Sequence, residues 1–325
     1  MAFGELPDAA FSLVRVTVPD AAEPRVGLVA GDRVTLLNDD ELGGDGLNGF
    51  LEAPDWDRLA AIARAGDDRE WSELADVTLS APVAPRQVLQ TGANYRTHVI
   101  DLVVSGLAAD DPRSPEEARA WAGRMMDDRR ENGEPYFFIG LPACVVGPDE
   151  ALALPAYSEK HDWELELAVV IGARAFRVSR EEAMDHVAGY TIVNDITTRD
   201  LVFRKDMKEI GTDWYRGKNA PGFLPTGPFL VPAPFVDPAA LGIRLDLNGQ
   251  TMQDASTSDL LFDIPALVSG ASQTMPLLPG DLLLTGSPAG NGAHWGRLLR
   301  AGDEMVGSIE GLGSQTVRCV EEAAR

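Results

Sequence analysis

The chain has 325 residues, of which 45% are hydrophobic and 24% charged, and its formal net charge is −23. Such a composition belongs to a folded chain with a sizeable core. The acidic surplus argues against nucleic acid as a partner, because binding a phosphate backbone needs clustered Lys and Arg. An anionic small molecule is not, because a bound cation and a few local basic groups reverse the field inside a pocket.

In chain order, the opening MAFGELPDAAFSLV lacks the basic and long apolar regions of a signal peptide. No stretch approaches the ~18 apolar residues of a membrane span, so the expected location is the cytoplasm, with no membrane partner. Residues 11–18 and 25–37 have the pattern of strands, the latter a hairpin turning near Gly31-Asp32. Trp56, Leu59, Ile62 and Ala63 recur at helical spacing and predict a helix over 48–75. The run Ala81-Pro82-Val83-Ala84-Pro85 sustains neither helix nor central strand. A boundary there divides the chain into a small N-terminal domain, 1–82, and a larger one, 83–325.

Residues 105–134 are polar, with a charged helical stretch from Pro115 to Asn132, and suit a surface excursion or lid. Strand-like runs follow at 136–139, 164–171, 190–194, 243–248 and 281–285. Helices are expected at 179–187, where Ser179 and Glu182 have capping-box spacing, and at 259–272. Cys144 and Cys319 are too few and too far apart for a disulfide framework or a thiolate metal site, and are expected as reduced packing residues. Mostly strands with a few helices makes the fold α+β and β-rich.

Four segments carry chemistry. In His161-Asp162-Trp163-Glu164-Leu165-Glu166, side chains of a strand alternate, so Glu164 and Glu166 share a face, roughly 7 Å apart. Two carboxylates so placed repel unless a cation sits between them, and hard ions such as Mg²⁺ and Mn²⁺ prefer oxygen donors. The bland alternative is a half-exposed strand with two solvated glutamates. Asp195, at the strand end in Tyr190-Thr191-Ile192-Val193-Asn194-Asp195, either completes a metal site or caps a helix. His98 and Asp101 are neighbours on a helical turn, where the carboxylate would orient the imidazole as a general base or form a plain surface pair. Of the other histidines, His161, His186 and His294, His186 falls in the expected helix as a structural residue. The fourth segment, Pro279 to Gly292, is a strand leading into a Gly/Pro/Ser loop whose amides and hydroxyls can approach a carboxylate ligand. No dinucleotide or Walker pattern is present, so no nucleotide cofactor is expected.

Together these segments, with Arg216-Gly217-Lys218-Asn219-Ala220-Pro221-Gly222, resemble the fumarylacetoacetate hydrolase family over roughly residues 86–320. The resemblance implies a mixed β-roll with a small β-rich N-terminal domain, assembled as a homodimer. It implies Glu164, Glu166 and Asp195 as ligands of Mg²⁺, Mn²⁺ or Ca²⁺, and His98 as the residue that activates water. Lys218 matches the lysine beside metal and substrate, and Ser287 a substrate-facing hydroxyl. The sequence departs from the family pattern at Asp101, usually Glu, at Val202, a Gln in true fumarylacetoacetases, and near Thr91, an aspartate there. Fumarylacetoacetate itself is therefore not the expected substrate. The implied activity is metal-dependent hydrolysis of a C–C bond in a small anionic 1,3-dicarbonyl or 2-oxo acid of acylpyruvate type. A 2-oxo acid hydratase, decarboxylase or isomerase is the alternative on the same site. A catalytically inactive, metal-stabilised scaffold is the alternative of another class.

Overall fold

A computed structural model describes residues 11–19, 21–65, 69–108 and 110–323. The chain opens with strands β1 (Ser12–Thr17), β2 (Arg25–Ala30), β3 (Arg33–Leu36), β4 (Ser72–Glu73) and β5 (Thr78–Ser80), in sheet order β4-β3-β2-β1-β5. The β2–β3 hairpin turns at Gly31-Asp32, as the sequence indicates. The single helix expected over 48–75 is instead two, α1 (Gly46–Glu52) and α2 (Trp56–Arg64), followed by β4. Pro54 is the reason, because its ring disfavours a helical residue before it. Asp55 then starts the chain again by accepting the Arg58 amide at 3.0 Å.

The next elements are β6 (Val88–Gly92), α3 (Arg96–Ser105), α4 (Pro115–Asn132), β7 (Tyr136–Gly140), β8 (Val145–Val146), β9 (Leu152–Leu154), β10 (His161–Asp162), β11 (Leu165–Ile171), β12 (Val187–Asn194) and β13 (Thr197–Thr198). They are followed by α5 (Trp214–Lys218), β14 (Leu224–Pro225), β15 (Val231–Pro232), β16 (Gly242–Leu247), β17 (Gln250–Ser256), α6 (Ile264–Thr274), β18 (Leu282–Leu284), α7 (Gly292–Trp295), β19 (Glu304–Ile309) and β20 (Gly313–Glu321). A central six-stranded sheet runs β15-β12-β11-β18-β6-β7, and a third sheet runs β17-β16-β19-β20-β9. Short pairs β10–β13 and β14–β8 complete the strand-rich α+β roll anticipated from sequence.

Both faces of β11 are covered, which explains its nearly unbroken apolar run. Leu165, Leu167, Val169 and Ile171 pack in one core with Leu245, Ile309 and Val317 of the third sheet. Ala168 and Val170 pack in another with Leu13, Leu28 and Leu59 of the N-terminal segment. The N-terminal sheet is also bound through its backbone, Leu13 and Leu230 exchanging hydrogen bonds of 2.9 and 2.8 Å.

Helices α3 and α4 lie against each other outside the sheets. Ala118, Ala122 and Met126, spaced by four, form the buried stripe of α4. A capping box at Ser114 and Glu117 starts that helix. At 179–187 the Ser179–Glu182 box also forms, with bonds of 3.1 and 3.3 Å. Only a short 3₁₀ turn, Ala183–His186, follows it, because Val187 is already paired with Ile171 in the sheet. The helix expected at 259–272 starts later, at Ile264. Asp263 caps it by accepting the Ala266 amide, and Pro265 tolerates the first turn, where no amide is required. No described helix is long and apolar enough to cross a membrane.

Candidate metal and proton-transfer site

The central sheet brings the three predicted carboxylates together. Glu164 immediately precedes β11, Glu166 lies within it, and Asp195 follows β12, its antiparallel neighbour. The Asp195 amide donates to the Glu164 carbonyl at 2.8 Å, and the Glu164 amide to Asn194 Oδ1 at 2.9 Å. These bonds extend the register past the strand end, and one oxygen from each acid lies within 4.8 Å of the others. Asp195 and Glu166 are buried, and Glu164 is nearly so.

Lys218, at the end of α5, enters this cluster. Its Nζ donates to Glu164 Oε2 at 2.5 Å, to Asp195 Oδ2 at 2.6 Å and to the Asp195 carbonyl at 3.1 Å. Burial alone would discharge such a lysine, but Asp195, Glu164 and Glu166 keep it protonated. Arg199 spans Glu164 Oε1 (2.7 Å) and Asp162 Oδ2 (2.6 Å). Glu166 accepts the Gly286 amide at 2.7 Å, and Asp195 accepts the Gln90 side-chain amide.

Charge decides what the cluster can hold. Four carboxylates, Asp162, Glu164, Glu166 and Asp195, face two cations, Lys218 and Arg199. Burial pushes Glu164 upward, but Arg199 and Lys218 overcome it and hold that carboxyl well below its usual range. Burial drives Glu166 well above its range, Asp195 and Glu164 adding to the effect. Burial also raises Asp195, to about 6, against the pull of Lys218 and with the push of Glu164. The shortfall of two positive charges is met either by protons on these acids or by one divalent cation. An all-oxygen donor set of this spacing fits a hard ion such as Mg²⁺ or Mn²⁺.

His98, in the first turns of α3, stands in the field of Glu164, Arg199, Asp101 and His294. Burial lowers its basicity below the ordinary value, so its ring is neutral at pH 7. Asp101, expected as the orienting carboxylate or as a surface partner of His98, has a cation of its own. Its carboxylate is held by Arg119 of α4 at 2.7 Å, and it acts on His98 through charge. Ser287, in the loop after β18, accepts from Gln253 Nε2 at 2.9 Å. His161 and His186 are structural: His161 bonds Thr198 Oγ1 and the Pro155 carbonyl, each at 3.0 Å, and His186 bonds the Ala173 carbonyl at 3.2 Å.

Sequence reasoning passed over Asp162, Arg199 and Gln90. Asp162 had a signal, since residues 162, 164 and 166 follow the same period of two. Gln90 had none, because its partner lies 105 residues away.

Residues 87–320 match the family model described as fumarylacetoacetate (FAA) hydrolase C-terminal. A mitochondrial oxaloacetate tautomerase of Xenopus laevis is 31% identical over 315 residues, covering 95% of this chain and 90% of that relative. The structure of a 2-hydroxyhepta-2,4-diene-1,7-dioate isomerase from Mycobacterium marinum is similar at a TM-score of 0.68 and 29% identity, covering 97% of this chain and 100% of that one. Maleylpyruvate hydrolase from Sphingobium sp. SYK-6, solved in complex with manganese(II) ion and pyruvate, is similar at a TM-score of 0.71 and 26% identity, covering 96% and 100%.

Proposed function

The chain belongs to the fumarylacetoacetate hydrolase family, and from that premise we propose that it is a divalent-metal-dependent hydrolase of a C–C bond in a small 1,3-dicarbonyl or 2-oxo acid. The observation that carries this reading is a buried carboxylate cluster short of two positive charges, beside a histidine that burial keeps neutral. Glu164, Glu166 and Asp195 would hold Mg²⁺ or Mn²⁺, which supplies Lewis-acid polarisation of a chelated carbonyl.

The chain's own groups account for the rest. Neutral His98 takes a proton from water, whose oxygen attacks the carbonyl carbon. The C–C bond then breaks, its electron pair leaves on the departing carbon as an enolate, and the His98 imidazolium returns a proton to it. Lys218 keeps Glu164 and Asp195 ionised and adds positive charge where the oxyanion develops. Gly286 fixes Glu166 through its amide, and the loop carrying Ser287 offers hydrogen bonds to the substrate.

A second reading, tautomerisation or isomerisation of a 2-oxo acid, draws support from Asp101. With its carboxylate engaged by Arg119, Asp101 steadies a His98 imidazolium only through its charge, a weaker support for the longer hydrolytic cycle than for moving one proton between carbon and oxygen. Purified protein with Mg²⁺ or Mn²⁺, offered acylpyruvates, oxaloacetate and 2-oxo-enoic diacids, separates the two. Hydrolysis yields two acids of lower mass, and tautomerisation changes the absorbance at constant mass. No turnover of any of these by metal-loaded protein would leave the inactive scaffold.

The same proposal includes a homodimer in the cytoplasm. Ile139 on the edge strand β7, with Phe203 and Tyr215 in the 203–216 segment, is an apolar side chain left to solvent in a single copy. Sedimentation should give twice the 34.9 kDa chain mass, and a monomer at micromolar concentration would count against it.

A further inference from the structure

Asp162 lies two residues before Glu164 and is wholly buried. Four N–H donors converge on its two oxygens. The amides of Trp163 (2.8 Å) and Gly292 (2.5 Å) reach Oδ1, and the Ala293 amide (3.0 Å) and Arg199 Nε (2.6 Å) reach Oδ2. The approach at Gly292 depends on the absence of a side chain, since a Cβ there would lie 2.6 Å from Asp162 Oδ1 and 2.2 Å from the Arg297 carbonyl. Arg199 gives its other fork nitrogen to Glu164, Nη2 to Oε1 at 2.7 Å. One guanidinium therefore links Asp162 to Glu164. The amides tie both to the turn that opens α7, in the same loop whose Gly286 holds Glu166.

We propose that Asp162 is a positioning residue for Glu164, acting through Arg199, and that it sets the affinity of the carboxylate cluster for a divalent cation. The inference rests on the reading of that cluster as a cation site. An arginine presents a rigid fork of donors matched to a carboxylate. Freed from Asp162, Arg199 has Glu164 as its remaining anionic partner here, and it turns both fork nitrogens, Nε and Nη2, onto it. The oxygens that a cation needs are then occupied. With Asp162 in place the guanidinium is shared, one nitrogen to each acid, and Glu164 Oε2 stays on Lys218, which also holds Asp195. Loss of Asp162 also removes one of four negative charges that attract the ion. The competing account gives Asp162 a purely local duty, pinning the α7 turn by its amide bonds.

A double-mutant cycle on metal affinity separates them. Mn²⁺ dissociation constants are measured by calorimetry for the full chain, Asp162→Asn, Arg199→Gln and the double variant. Circular-dichroism melts of the metal-free proteins establish that each is folded. The expected result is a Kd raised about 10–100-fold in Asp162→Asn, and raised less than about threefold by the same change in the Arg199→Gln background. Equal effects in both backgrounds, or an unchanged Kd in a folded Asp162→Asn protein, would overturn positioning through Arg199. Should Asp162→Asn fail to fold, Arg199→Lys serves, because it keeps the charge and cannot fork to both acids. A Kd about tenfold higher is expected there, and an unchanged Kd overturns the proposal. Failure of the unaltered chain to bind Mn²⁺ would overturn the cation site itself, and this inference with it.

Discussion

His98 and the carboxylates occupy one electrostatic field, and their expected responses to substitution differ. If His98 is the proton acceptor, His98→Ala lowers turnover by roughly 10²–10⁴-fold while leaving Mn²⁺ binding nearly intact. Because burial holds the imidazole below 6.5, the unaltered enzyme loses activity only as pH falls beneath that value, where the ring protonates. Asp101→Asn should change turnover by no more than a few-fold, since Arg119 rather than His98 holds that carboxylate. A loss matching that of His98→Ala would show that the dyad forms during catalysis. Glu164 and Glu166 were legible as a pair because a strand has a fixed period, whereas Asp195 joined them only through the family resemblance. The Asp101–Arg119 pair was not, because it depends on how α4 lies against α3, which no local spacing encodes.

At the scale of elements, the strands of the central sheet were read more closely than the helices, whereas β17, β19 and β20 were not read at all. Runs such as 164–171 carry their own signal, whereas helix ends depend on neighbours. Pro54 divides the expected helix at 48–75, and sheet pairing at Val187 stops the one begun by Ser179. The loop after β18 is the most demanding backbone at the site. Gly290 has φ +98°, and a Cβ there would lie 2.1 Å from the Met252 carbonyl. Gly290→Ala should therefore destabilise the protein by more than about 1 kcal/mol and lower activity, because the Gly290 carbonyl itself accepts the indole N–H of Trp163, one residue before Glu164. A variant melting at the same temperature, with unaltered kinetics, would contradict this account of the loop.

For the molecule as a whole, the buried acids couple stability to pH and metal. Burial raises Asp195 from 3.8 to about 6, so the metal-free folded state binds a proton there that the unfolded chain releases. That term stabilises the folded state at low pH and is lost as pH rises from about 4 to about 6. A cation that replaces the proton reverses the trend. The increase in Tm on adding Mn²⁺ should therefore be larger at pH 7.5 than at pH 5, following ligand linkage. An increase independent of pH would place the ion elsewhere. The roll was legible from patterning and resemblance, and the order of its strands was not. The wrapping of both faces of β11 was not, since it joins residues from the N-terminal sheet and the C-terminal strands across most of the chain.

The claim on which the rest depends is that Glu164, Glu166 and Asp195 hold a divalent cation without which the enzyme does not turn over. It is tested by removing metal with a chelator, confirming by elemental analysis that none remains, and assaying an established 2-oxo acid substrate before and after adding Mn²⁺. Glu166→Gln is carried in parallel. The account predicts negligible turnover without metal, recovery with about one Mn²⁺ per chain, and neither binding nor recovery in Glu166→Gln. Full turnover by the metal-free protein, or recovery by Glu166→Gln equal to that of the unaltered chain, would contradict it.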